Sequence, residues 1–155
     1  LMGGVDAAAT LRLGKKFAWR MRGSTVRARD QRRDEWLFLM PADRVENGLL
    51  FRMTAIGRWR DFEAGVTHQA VFEQHRVPEG LDFAPPPATY HLFALSASST
   101  RLIGKGELRI GLQANNLFNE AYRDYLDRFR YFADARGTDI VLSVRYAFGS
   151  RRSGN

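Results

Sequence analysis

The feature that most constrains this chain is a one-for-one alternation of apolar and polar side chains, sustained over segments of about ten residues. "TDIVLSVRYAF" puts Ile140, Leu142, Val144, Tyr146 and Phe148 on one face and Val141, Ser143, Arg145 and Ala147 on the other. "GELRIGLQANN" sets Leu108, Ile110, Leu112 and Ala114 against Glu107, Arg109, Gly111, Gln113 and Asn115. "FEAGVTHQAVF" opposes Phe62, Ala64, Val66, Ala70 and Phe72 to Glu63, Gly65, Thr67, Gln69 and Val71, with His68 falling on the apolar side. A period of two suits an extended strand, whereas a helix would wind both sets around its surface. Seven segments with this pattern predict strands at about 5–13, 17–28, 43–56, 60–72, 90–99, 107–118 and 138–148. The first and fifth alternate least cleanly.

Several of these strands are longer than the five or six residues usual in soluble sheets and match the roughly 9–11 that cross a bilayer at a tilt. Their connections read alternately short (14–16, 57–60, 100–106) and long (29–43, 73–89, 119–137). Such alternation marks an up-and-down transmembrane barrel with tight turns on one side and long loops on the other. The fold class expected is therefore all-β: an antiparallel up-and-down transmembrane β-barrel over residues 1–148, followed by a polar tail at 149–155. Arg20, Arg22, Arg52, Glu107, Arg109, Gln113 and Arg145 would face a hydrated interior, because unpaired charge in a dry core costs too much. Bacterial single-chain barrels use even strand numbers, so seven strands opening on Leu1 suggest an incomplete piece with further strands upstream.

Composition narrows the alternatives. With 45% hydrophobic residues in 155, the chain has the material for one domain with a sizeable core. It has no cysteine, which removes disulfides and thiolate metal sites. The net charge of +7, mostly arginine and spread along the chain, is compatible with nucleic acid, anionic lipid or an anionic ligand. No apolar run reaches the length of a membrane helix, and no start reads as a signal peptide.

The stretch "NNLFNEAYRDYLDRFRYFADARG" (115–137) interleaves Phe118, Tyr122, Tyr125, Phe129, Tyr131 and Phe132 with eight charged residues. Together with "TDIVLSVRYAF" it resembles the C-terminal end of TonB-dependent outer-membrane receptors. In those, an Asn-Leu-Phe-Asn segment on the penultimate strand precedes a Tyr-rich loop, a Gly and a last strand ending in an aromatic. "LMPADR" (39–44) and "RVPEGLDFAPPPATYHL" (76–92) resemble loop-to-strand junctions of the same family. The resemblance implies a receptor of the bacterial outer membrane that takes up a scarce ligand, typically a ferric siderophore, haem, another metal complex or cobalamin. It implies a plug domain and a TonB-contacting segment, neither within this chain, and hence a partnership with the TonB complex through the missing N-terminal part. Outer-membrane lipid and lipopolysaccharide are the implied surroundings. Tyr146 and Phe148 would carry the signal read by the barrel-assembly machinery, although "GSRRSGN" follows Phe148 where the family usually ends.

Loop residues able to meet a ligand are His75, Arg76, Arg123, Arg128 and Arg130. The last three could bind an anionic siderophore or lipopolysaccharide phosphate, or form a solvated face paired with Asp124, Asp127 and Asp134. Asn115, Asn116 and Asn119 read as a strand end and loop cap, or as ligand contacts. His68, His75 and His91, with Glu73 and Glu79, match no metal-motif spacing, so no metal site is expected. "APPP" at 84–87 stiffens a long loop. No catalytic residue, enzyme activity or cofactor is expected. A barrel hydrolase using Ser96 or Ser98 with His91 is one alternative, and a basic β domain binding nucleic acid is another. The near-continuous apolar faces argue against nucleic acid.

Overall fold

The computed structural model describes residues 1–148; the tail expected at 149–155 lies outside the described residues. The structure is an all-β antiparallel sheet of eight strands: β1 (Met2–Leu13), β2 (Phe17–Asp30), β3 (Glu35–Trp36), β4 (Arg44–Ile56), β5 (Trp59–Val71), β6 (Tyr90–Ile103), β7 (Gly106–Asn115) and β8 (Asp139–Ala147). The seven long strands pair strictly with their neighbours along the chain in the order β1-β2-β4-β5-β6-β7-β8, and the two-residue β3 pairs with β2 inside the first long loop. The sheet does not close on itself, so β1 and β8 are its edges.

Turn chemistry sets the strand ends. β4 passes to β5 through Gly57-Arg58, and β6 to β7 through Gly104-Lys105, each with the glycine at φ 58° in the first central position. That positive φ matches strand twist in a two-residue hairpin and carries no Cβ penalty at glycine. β6 consequently runs on to Ile103, past the end expected near 99. β7 instead stops at Asn115, short of 118, because Asn116 turns the backbone to φ 45°. A register shift between Arg60 and Glu63, with Asp61 at φ 50°, bulges the start of β5.

The register carries each face across the whole sheet. Leu11, Trp19, Leu49, Val66, Leu95, Ala114 and Ile140 are successive cross-strand partners, as are Leu13, Phe17, Phe51, Ala64, Ala97, Leu112 and Leu142. Alternation puts both rows on one face. The opposite face presents Arg20, Arg22, Glu46, Arg52, Glu63, Gln69, Arg109 and Arg145, with Arg52 Nε 2.8 Å from Glu63 Oε1.

Among the described residues the sizeable core that the composition allows is not formed. One sheet has no second layer to bury its apolar rows, and Val66, Leu95 and Leu142 remain 39%, 43% and 67% exposed. The buried hydrophobic cluster is small: Ala42, Val71 and Tyr90, with Leu92 and Tyr122 against them. It lies at the long-loop end, where the three loops fold together over the start of β6.

Candidate functional site

Three long connections, 31–43, 72–89 and 116–138, emerge at the same end of the sheet. Side chains from one loop bond the backbone or carboxylates of another at two polar anchors, and a third ties together the ends of 116–138.

The first anchor is built on Gln74, which is almost wholly buried. Its amide donates to the carbonyls of Met40 (3.1 Å) and Pro41 (2.9 Å) and accepts from the Arg76 N–H. Asp43 beside it accepts from Thr25 Oγ1 at 2.6 Å, Arg76 at 2.7 Å and Arg27 at 3.3 Å. Burial pushes the Asp43 carboxyl up, but these hydrogen bonds and the Arg76 charge outweigh it, so the group titrates below the usual carboxylate range.

The second anchor joins the Pro-rich loop to the aromatic loop. Asp127 caps the short 3-10 turn Arg128–Tyr131 by accepting from the Phe129 N–H, which aims Arg130 inward. The Arg130 guanidinium, 2% exposed, donates to Asp82 and to the Pro85 carbonyl (3.3 Å), and lies over the rings of Tyr125 (4.8 Å) and Tyr131 (4.4 Å). Tyr131 donates to the same carboxylate at 2.6 Å. Burial raises the Asp82 carboxyl, and the bonds from Tyr131, Arg130 and the Ala84 N–H more than offset this, leaving it below its ordinary range. Among the described residues, Arg130 Nε and Tyr125 Oη are buried here without a hydrogen-bond partner of good geometry.

The third anchor is the Asn-Asn-Leu-Phe-Asn segment. Buried Asn116 donates to the Glu120 carbonyl (2.9 Å) and accepts from the Glu120 N–H (2.8 Å), while its own carbonyl accepts from Thr138 Oγ1 (2.7 Å). Asn119, at φ 54°, accepts from the Thr138 N–H. Both ends of the 116–138 loop are thereby tied together, which is the strand-ending and loop-capping role. Tyr90 donates to Asp124 at 3.0 Å and packs on Tyr122, so the loop leans over β6.

Most of the candidate ligand contacts are therefore engaged within the protein. Arg76 belongs to the first anchor. Arg123 donates to Asp134 (2.6 Å) and to the Arg130 carbonyl, as one of the expected solvated pairs. Arg130 departs from that expectation: it is buried and pairs with Asp82 across forty-eight residues of sequence, not with Asp124, Asp127 or Asp134. Arg128 and His75 are exposed, His75 with Nδ1 3.9 Å from Glu73. Gln74, Asp43 and Asp82 were missed, since a lone Gln or Asp in a loop carries no local signal of a distant partner. Phe83, Phe129 and Phe132 stand exposed around the second anchor.

The histidines divide. His68 and His91 sit on the apolar face, with His68 Nε2 3.1 Å from His91 Nδ1 and the His68 ring stacked 4.7 Å from Phe93. His75 stays in the loop beside Glu73. Two imidazoles fall short of a protein metal centre, and no group of three or more His, Cys, Asp or Glu forms one among the described residues. Ser96 and Ser98 point to the face of β6 opposite His91, so these three do not assemble a nucleophile and base. Tyr146 and Phe148 meet edge to face at 4.6 Å, with the Tyr146 hydroxyl donating to the Ile103 carbonyl.

No protein-family model, curated protein or solved structure matches the chain.

Proposed function

We propose that this chain is wall and outer loops of a TonB-dependent outer-membrane receptor, contributing to energised uptake of a scarce ligand such as a ferric siderophore or other metal complex. One observation carries the reading: a single sheet of long antiparallel strands exposes a continuous apolar face and an opposed charged face, with every long loop at one end. Lipid would take the apolar rows and a hydrated lumen the arginines. In that setting the open edges β1 and β8 would pair with further strands of the complete barrel, and a plug domain would occupy the lumen. The TonB complex would act on that missing part, and the barrel-assembly machinery would read Tyr146 and Phe148.

The absence of cysteine makes the test clean. Single cysteines at Leu49, Val66 and Leu95, and at Thr67, Gln69 and Ser96, are to be introduced in the host and probed in isolated outer membranes. The expected result is labelling of the second set by a water-soluble thiol reagent, with the first set protected until detergent is added. Recovery of the chain in the soluble fraction, or equal labelling of both sets, sinks the membrane reading. Loss of the gene should then abolish growth on a ferric siderophore under iron limitation, and unaltered growth on every such source would remove the uptake role.

A further inference from the structure

On the polar face near the short-turn end, Arg109 and Arg145 are direct cross-strand partners of β7 and β8. Like charges placed opposite one another repel. Among the described residues no carboxylate comes within ion-pair distance of either: Glu63 is engaged by Arg52, and Glu107 makes no ion pair. Arg109 leans instead toward Ser98 Oγ, at 3.4 Å. Both arginines line an open hollow of about 510 Å3, together with Ser96, Ser98, Gln113 and Glu63, whose carboxylate is held by Arg52. Gly111, between Ser98 and Ser143 in the register, adds no side chain to the floor, and the Ser143 hydroxyl leans across it to donate to the Gly111 carbonyl at 3.2 Å.

We propose that the Arg109–Arg145 pair is an oxyanion site for a small solute bearing a carboxylate or phosphate group. Two guanidiniums can clamp such a group from both sides, each offering paired N–H donors, while hydroxyls and an amide complete the shell. The anion cancels the cross-strand repulsion, so the site is strained when empty and relaxed when filled. The volume of the hollow falls within the range of small-molecule pockets. The inference rests on the register of the polar face and stands whether or not that face lines a membrane lumen.

The experiment uses the full 155-residue chain, in detergent micelles or in buffer according to the fraction that holds it, at constant ionic strength of about 0.1 M so that general screening is held fixed. Inorganic phosphate and citrate are titrated separately, with chloride as the control, and binding is read by calorimetry and by the thermal midpoint. Saturable stabilisation by phosphate, citrate or both is expected, and which of them acts assigns the oxyanion class. Arg145→Gln should raise the midpoint without anion, because it removes the repulsion. It should also weaken binding roughly tenfold to a hundredfold, the usual loss for a charged hydrogen-bonding partner. Arg109→Gln should do the same, and Arg20→Gln, elsewhere on the same face, should leave affinity unchanged. The proposal is overturned if neither anion binds saturably, if the two variants keep the parent affinity, or if Arg20→Gln weakens binding equally.

Discussion

Asp82→Ala should open the loop cap, and the structure sets how far. The substitution strips Arg130 of the one carboxylate it pairs with among the described residues, while the guanidinium stays enclosed by Tyr125 and Tyr131. Removing one member of a buried ion pair typically costs about 3–5 kcal/mol, because the remaining charge is left uncompensated. Arg130 keeps the Pro85 carbonyl, and the two rings return on the order of 1 kcal/mol of cation–π attraction. Tyr131 loses its acceptor as well. A net penalty near the lower end, about 3 kcal/mol, follows, and it falls on the loops and not the sheet, since the anchor touches no strand ladder. At about 1.4 kcal/mol per tenfold, the open-loop population should rise roughly a hundredfold. Limited proteolysis within 116–138 and 72–89 measures that population directly. The double variant Asp82→Leu with Arg130→Met removes both charges and should return cleavage most of the way to the parent rate. Cleavage within twofold of parent for Asp82→Ala, or a double variant as labile as the single, would refute the reasoning.

The other expectations are these. Asp43 and Asp82 both titrate below their ordinary range when folded, so their contribution is full above that range and drains away as pH falls through it toward the folded values; loop proteolysis with an acid-active protease should therefore accelerate below about pH 4. Asn116→Ala removes the bonds to Glu120 and leaves alanine at φ 45°, which should cost about 2–4 kcal/mol of loop stability, read as faster amide exchange across 116–138 with β1–β5 unchanged. In Gly106→Ala the added methyl would meet the Tyr146 ring and the Ala147 carbonyl, so β8 should detach at a cost of about 1–3 kcal/mol, seen as loss of exchange protection in 139–147. Val66→Arg, on the apolar face, should weaken urea-monitored folding into phospholipid vesicles by about 2–4 kcal/mol, whereas Thr67→Arg on the other face should be nearly neutral.

Local chemistry made the sheet legible from the sequence. Period-two alternation identifies the long strands and assigns their faces, because each side chain's side depends only on its parity; His68 on the apolar face follows from that parity alone. Gly57 and Gly104 mark the tight hairpins for the same local reason, a positive φ at no steric cost. The two-residue β3 carries no period and was not legible. Nor was the lack of a core, since composition supplies apolar residues without saying whether a second layer will cover them. The loop cap belongs wholly to tertiary structure. Arg130 stands among three aspartates in its own loop, and nothing nearby signals that the sheet's short turns bring Asp82 to it from another loop, with two tyrosines to exclude water. The Arg109–Arg145 opposition likewise depends on the β7–β8 register, which only pairing decides. Parity is carried by the chain itself, but proximity between distant residues is created by folding.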